Sequence, residues 1–251
     1  MGGTGKSEVI KAFVMFVTNI CHLFNWNYDS DTIKITALTG SAACQIPNGR
    51  TLHSQACLNT KKIGQAAVDS WKSTKMLIID EVSFLNEDTL EKLDKKMRLL
   101  KECDVMFGGV NIVFVGDFFQ ILPVKGKALF KCNTLQFCSI NRAIFLNVSH
   151  RFKEDPKYGE IMRRFRIGKA TKNEIQTINS RHIENANVML PPITKLRCAY
   201  YKNVERNAYS NAIFFEHLKQ THQMTEDTSV ECPMHTCIIK ASMRSNKDGK
   251  N

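Results

Sequence analysis

The chain has 251 residues, 43% hydrophobic and 24% charged, with 35 Lys and Arg against 24 Asp and Glu and a formal charge of +11. This fits a globular rather than a disordered chain and leaves room for one large domain or two modest ones. The positive excess points to a polyanionic partner, nucleic acid foremost, although a merely soluble basic surface gives the same count.

The N-terminal stretch carries the most information. Gly2-Gly3-Thr4-Gly5-Lys6-Ser7 matches the back end of the phosphate-loop pattern G-x-x-x-x-G-K-[ST]. Glycines let the backbone curl so that successive N–H groups face phosphate oxygens, and the following helix adds the positive end of its dipole. Lys6 would reach the β- and γ-phosphates, and the Ser7 hydroxyl would ligate Mg²⁺. The first glycine of the pattern and the strand that feeds such a loop would lie before Met1, so either the loop begins with an unusual Met or the sequence is part of a longer one. Residues from Glu8 to about Phe24 are expected to form a largely buried helix, with Val9, Phe13, Phe16, Val17 and Ile20 inward.

Ile33–Ala37 alternates and is β-branched, as a strand does, and runs into Leu38-Thr39-Gly40-Ser41. Gly49–Ser54 follows; helix capping is the simplest role for Thr39 and Ser54. Met76-Leu77-Ile78-Ile79-Asp80-Glu81 reads as a central parallel strand, buried on both faces and ending in two carboxylates. Downstream of a phosphate loop, Asp80 would hold the metal and Glu81 would act as the base toward the attacking water. Asn86 caps a helix to about Leu100, with Leu90, Leu93, Met97 and Leu100 on one face. Phe107-Gly108-Gly109 breaks the chain, and Val110–Val115 is a second buried strand delivering Gly116–Gln120. Gln120 at the carboxyl edge of the sheet would sense a γ-phosphate, or simply hold a loop.

A further strand is expected at Ile144–Val148, leading to Ser149-His150-Arg151; Arg151 would stabilise charge on a transferring phosphoryl group or be an ordinary surface residue. Asp155-Pro156 starts a helix that stops at Gly168, and Thr171–Glu174 is a capping box for the next. Arg163, Arg164, Arg166, Lys169 and Lys172 form either a solvated helix face or a surface for a phosphate backbone. Pro191-Pro192 marks a boundary, Ile193–Ala199 a strand, and Lys202 to about Leu218 a helix with Val204, Ala208, Ala212 and Phe215 inward. Nine cysteines without a disulfide framework indicate a reduced, intracellular chain, and Cys232, His235 and Cys237 lack a fourth ligand at zinc spacing. No apolar run reaches transmembrane length, so no membrane is expected among the partners.

Taken in order, Gly2–Ser7, Thr36–Ala43, Gly49–Ser54, Ile78–Leu85, Phe107–Gly109 with Gly116–Val124, and Val148–Arg151 resemble the successive motifs of the Pif-type DNA helicases of superfamily 1, a group that includes Helitron-like transposon helicases. The most specific piece is Gly116-Asp117-Phe118-Phe119-Gln120-Ile121-Leu122-Pro123-Val124. The resemblance implies an α/β fold: a RecA-like P-loop NTPase domain with a parallel sheet over residues 1–151, lacking its first strand. A small wedge-like subdomain would cover 152–192, and the beginning of a second RecA-like domain 193–251. It implies ATP and Mg²⁺ as cofactors, single-stranded and forked DNA as partners, and ATP-driven 5′-to-3′ unwinding in repair, recombination, telomere maintenance or transposon replication. It also implies a location in the nucleus or mitochondrion.

The same resemblance assigns Lys6, Asp80, Glu81, Gln120 and Arg151 to catalysis. It gives Gly2 to Ser7 to the nucleotide, Ser7 and Asp80 to the metal, and Thr39, Gly40, His53 and Ser54 to DNA. The sequence departs from the family where Ile121-Leu122-Pro123 stands for Leu-Pro-Pro, Phe152 for Gln, and Tyr200-Tyr201 for Thr-Asn. The upstream adenine-reading motif and the late motifs of the second motor domain are not in the sequence. The 251 residues alone are therefore expected to hydrolyse ATP weakly or not at all. The alternatives are a catalytically inactive, helicase-derived protein that binds nucleotide or DNA, and another phosphate-loop enzyme such as a small-molecule kinase.

Overall fold

The apolar run Met76–Asp80 forms strand β3, and the first part of the molecule is arranged about it. A computed structural model describes residues 3–47, 49–182, 198–200 and 202–222 (main chain only for 218–222). The chain divides into two compact units, Met1–Gln176 and Thr177–Asn251.

In the first unit, β1 (Ile33–Ala37), β2 (Arg50–Thr51), β3 and β4 (Asn111–Phe114) make a four-stranded sheet in the order β2-β1-β3-β4. All pairings are parallel, with Ile35 opposite Ile78, Ile78 opposite Val113, and Ala37 opposite both Thr51 and Asp80. Side chains alternate across a strand, so β3 feeds two cores at once. Leu77 and Ile79 join Leu52, Leu85, Leu90, Leu93, Met97 and Leu100 on one face, all fully buried. Ile78 joins Ile10 and Ile33 on the other. Burying each such side chain contributes about 1.5–3 kcal/mol, so β3 alone anchors both layers.

The larger layer holds α4 (Gln65–Lys72) and α5 (Glu87–Lys101). Asn86 caps α5 as its sequence position requires, its side chain accepting from the Thr89 amide at 2.8 Å. The Lys101 ammonium donates to the carbonyls of Trp71, Lys72 and Thr74 at 2.8–3.0 Å, closing the C-terminal end of α4. The smaller layer is α1 (Lys6–Leu23).

Four expectations are corrected. Ile144–Val148 forms no strand, and Ile144, Phe145 and Val148 are 84%, 82% and 66% exposed. A strand needs a neighbour, and β4 ends the sheet among the described residues with no further strand beside it for this segment to pair with. For the same reason β4 is only half-buried rather than a buried central strand. Helix α1 is not largely buried: Ile10 and Cys21 are its buried residues, Phe13, Val14 and Val17 are half-buried against the sheet, and Val9 and Phe16 are exposed. Its apolar residues run nearly all round, so periodicity alone does not fix the buried face. In the second unit, helix α9 (Asn203–His222) forms, but Val204, Ala208, Ala212 and Phe215 are exposed while Tyr209, Ile213 and Phe214 are half-buried.

The remaining helices are α2 (Gly40–Ala43), α3 (Leu52–Gln55), α6 (Leu135–Cys138), α7 (Pro156–Arg166) and α8 (Lys172–Asn179). Asp155 caps α7 by accepting from the Tyr158 amide at 2.9 Å. Thr171 and Glu174 form the reciprocal capping box, at 3.3 and 2.8 Å. Gly2, Pro191-Pro192, most of the strand expected at Ile193–Ala199 and the Cys232–Cys237 cluster lie outside the described residues. The cysteines among the described residues are free, and no described helix is long and apolar enough to cross a membrane.

Candidate functional site

All four strands point the same way, so their carboxyl ends share one edge of the sheet. Thr39-Gly40 follows β1, His53-Ser54 follows β2, Asp80-Glu81 ends β3, and Gly116–Gln120 follows β4. In parallel α/β sheets this edge is where ligands bind. An open cleft lined by Val17, Cys21, Trp26, Met76 and Asn111 lies at the opposite edge, away from these residues.

The phosphate-loop residues adopt the turn their sequence implies. Gly3 and Gly5 have φ of 74° and 85°, a region open to glycine, and Gly5 accepts the Val9 amide at 3.0 Å as the first bond of α1. Thr4 is buried, Lys6 is half-buried and Ser7 is exposed. The His150 amide donates to the Gly3 carbonyl at 2.7 Å. A Cβ on Gly3 would stand 2.3 Å from the Arg151 Cβ, so the His150-Arg151 segment sits directly on the loop. Arg151 thus reaches the phosphate loop even though the expected strand before it does not form.

Glu81 is the centre of the site. It has a left-handed backbone at φ 56°, and its amide donates to Asp80 Oδ1 at 2.8 Å. Its Oε2 is buried without a hydrogen-bond partner. Burial pushes the Glu81 carboxyl above its ordinary value; Asp80 pushes the same way, Lys6 pulls it down, and Asp117 adds a smaller upward push. Lys6, Asp80, Glu81 and Asp117 therefore share one electrostatic neighbourhood. Gly116 is backed against the strand-β3 turn, where a Cβ would meet the Val82 amide at 2.8 Å. Gln120 is half-buried, its amide donating to the Asp117 carbonyl at 3.0 Å.

The candidate DNA residues have local roles. Thr39 caps α2, accepting the Ala42 amide at 3.3 Å. The cap of α3 is Thr51, which accepts from the Ser54 amide at 3.3 Å, so Ser54 is the capped residue and not the cap. His53 is half-buried and Gly40 and Ser54 are exposed, which leaves this edge open to a ligand.

Sequence reasoning missed Asp117, Phe119 and Arg166 as a unit. Asp117 is buried, and Arg166 of α7 grips it with both terminal nitrogens, Nη2 to Oδ1 at 2.6 Å. The guanidinium also lies 4.5 Å above the Phe119 ring. Burial raises the Asp117 carboxyl, but hydrogen bonds, those of Arg166 first among them, outweigh it and hold it well below the usual carboxylate range. Arg163 and Arg164 differ: they pair with Glu160 at 2.7 and 3.1 Å, and Arg164 also with Glu174 at 2.9 Å. Nothing in the run of arginines marks Arg166 as the inward one.

The donor set suits a magnesium nucleotide. Mg²⁺ takes hard oxygens and is held by one or two carboxylates together with substrate phosphates and water. Ser7 and Asp80 offer such oxygens, and the described residues hold no cluster of three His, Cys, Asp or Glu that would bind a metal on its own. One Glu81 oxygen is buried with no hydrogen-bond partner, an unfilled acceptor beside these donors.

The family model for PIF1-like helicase matches residues 1–143. The ATP-dependent DNA helicase PIF1 of Emericella nidulans is 35% identical over 191 residues, 69% of this chain and 25% of that protein. The ATP-dependent DNA helicase RRM3 of Saccharomyces cerevisiae is 32% identical over 213 residues, 75% of this chain and 28% of that one. Among solved structures, the Pif1 helicase from Candida albicans matches with a TM-score of 0.66 at 25% identity, over 84% of this chain and 48% of its own. A Bacteroides Pif1 crystallised with ADP-AlF3 and single-stranded DNA shares the fold at a TM-score of 0.61 and 21% identity, over 91% of this chain and 55% of its own. The chain spans about a quarter of the length of the curated relatives it matches. With two thirds of its residues aligned to these proteins and more than half covered by the family model, the chain belongs to the PIF1-like helicase family.

Proposed function

We propose that residues 1–151 form the ATP-binding half of a DNA helicase motor, the first RecA-like domain of a protein that unwinds DNA in the 5′-to-3′ direction. In this reading 152–192 is a small accessory subdomain and 193–251 opens a second motor domain. The observation that carries the proposal is the convergence of Gly3–Ser7, Asp80-Glu81 and Asp117 on one neighbourhood at the carboxyl edge of the sheet.

In the roles proposed, the Gly2–Ser7 loop holds the phosphates, Lys6 neutralises the β- and γ-phosphates, and Ser7 and Asp80 hold Mg²⁺. The metal supplies charge neutralisation at the transferring phosphoryl group. Glu81 has a raised proton affinity and a buried oxygen with no hydrogen-bond partner, which supports its role as a base toward water. Gln120 reads the γ-phosphate, and Arg151, seated on Gly3, adds a positive charge. Thr39, Gly40, His53 and Ser54 face single-stranded or forked DNA along the open edge. The +11 charge supports a DNA partner, and the relatives named as ATP-dependent DNA helicases support DNA unwinding. The proposal extends to nuclear or mitochondrial work in repair, recombination, telomere maintenance or transposon replication.

The test is ATP hydrolysis with and without single-stranded DNA. The 251 residues alone are expected to turn ATP over weakly, and a chain carrying both motor domains to respond strongly to DNA. In that longer form Glu81→Gln should abolish turnover while ATP still binds. Turnover surviving Glu81→Gln would overturn the base assignment. DNA binding with no ATP turnover in the two-domain form would favour the non-catalytic reading.

A further inference from the structure

We propose that Arg166 is a positioning residue of the nucleotide site: through Asp117 and Phe119 it fixes the Gly116–Gln120 loop beside Glu81, and so couples that loop to helix α7. The inference rests on the nucleotide-site reading above and adds to it the element through which the site is sensed.

The loop is held at three points. Gly116 lies against the backbone of Glu81 and Val82. Phe118 turns inward, edge-on to Phe130 and Phe137 at 5.5 and 6.1 Å. Asp117 and Phe119 turn toward α7, where one guanidinium takes the carboxylate with two N–H bonds and covers the ring. The first two points belong to the β3–β4 core. The third is the loop's tie to a helix outside that core. Gln120 is bonded through its amide to the Asp117 carbonyl, so a shift of Asp117 moves Gln120 with it.

Charge makes the same point. Asp80, Glu81 and Asp117 place three carboxylates around a site proposed to hold a polyphosphate, and Lys6 is a cation beside Glu81. Arg166 pairs with Asp117 and offsets its repulsion of the ligand. Neither neighbouring arginine can substitute, because Glu160 and Glu174 occupy them. A buried ion pair adds little net stability over apolar packing, so stability alone is a weak reason for a paired fork here; fixing one geometry is a stronger one. Helix α7 can transmit a shift because it is anchored along its length: Asp155 caps it, Ile161 is buried, and Gly159 lies so close to Phe152 that a Cβ would meet its Cβ at 2.7 Å.

The test is hydrogen exchange of the α7 amides with and without Mg²⁺ and a non-hydrolysable ATP analogue, run beside an affinity titration. In the wild-type chain the analogue should slow α7 exchange by about fivefold or more. In Arg166→Met with Asp117→Asn, which leaves no orphaned charge, α7 should no longer respond at an analogue concentration that saturates the variant. Arg166→Lys keeps the charge but loses the fork and the stack; it should bind the analogue and show a reduced response. An undiminished response in either variant, or none in wild type that binds the analogue, overturns the coupling. Failure of the wild-type chain to bind the analogue overturns the nucleotide-site reading itself.

Discussion

The amide of His150 donates to the carbonyl of Gly3 at 2.7 Å, a bond that lays the Ser149–Arg151 segment on the phosphate loop across almost 150 residues of sequence. It leaves no room for a side chain at Gly3, where a Cβ would overlap the Arg151 Cβ at 2.3 Å and φ is +74°. Gly5 has a similar φ of +85° but nothing within 4 Å. Gly3→Ala should therefore lower the melting temperature more than Gly5→Ala, whose stability cost is backbone strain of about 1–2 kcal/mol. Thermal melts of both variants check this; equal losses would mean that the His150-Arg151 segment does not press on Gly3.

Asp94 should be the most costly single polar residue to lose from the first unit. Its carboxylate is buried, accepts the Phe107 amide at 2.6 Å, and is bonded by Arg98 at 3.1 Å and Gln136 at 3.0 Å. It thereby fixes the Phe107-Gly108-Gly109 turn, in which Phe107 itself has φ 54°. Asp94→Ala leaves a buried amide unpaired and should cost about 2–4 kcal/mol by denaturant unfolding. Burial raises the Asp94 carboxyl, but Arg98, the Phe107 amide and Gln136 outweigh it and hold it below its ordinary 3.8. The stability it contributes is present above that ordinary value and lost as pH falls through the depressed one. Melting curves below about pH 4 should fall more steeply for wild type than for Asp94→Asn.

Glu81 should behave in the opposite sense. Its folded carboxyl is raised above the ordinary 4.5, chiefly by burial and then by Asp80. The folded chain therefore holds that proton more tightly, and stability is lost as pH rises from about 4.5 through the raised value. Glu81→Gln removes the penalty, so at pH 7 it should melt slightly above wild type, with the gap closing near pH 4. A lower melting temperature for Glu81→Gln at pH 7 would contradict the buried, partnerless geometry of Oε2.

If the basic surface meets a phosphate backbone, its residues should not contribute alike. Arg163 and Arg164 hold Glu160 down at about 2 and are engaged within the protein, whereas Lys169 and Lys172 are exposed. In salt titrations of single-stranded DNA binding, Arg163→Ala should leave the slope unchanged. Loss of a lysine that contacts phosphate should reduce it by about one. A larger change for Arg163→Ala than for either lysine would contradict this division of roles.

Features set by local rules were legible in the sequence. The Asn86 cap, the Thr171–Glu174 box, the glycine turn before α1 and the β3 strand ending in Asp80-Glu81 each need only a few adjacent residues to specify them. Features that depend on distant partners were not. Ile144–Val148 has the composition of a strand but no neighbour among the described residues to pair with. The apolar pattern of α1 fits more than one face, and the sheet beneath selects Ile10, Val14, Val17 and Cys21. Asp94 reads as a polar position on an amphipathic helix until Phe107 and Gln136 are brought to it. Arg166 is one of three nearly adjacent arginines, and only the fold turns it toward Asp117.

The central claim is that Gly3–Ser7 and the β3 carboxylates form one magnesium-nucleotide site in this chain. Equilibrium titration of a fluorescent ATP analogue, with and without Mg²⁺, into the wild-type chain and Lys6→Ala tests it most directly. Binding should be saturable, Mg²⁺-dependent and at a single site, weakened about tenfold or more by loss of the Lys6 charge. Equal affinity in the two proteins, or no saturable binding to wild type, would contradict it.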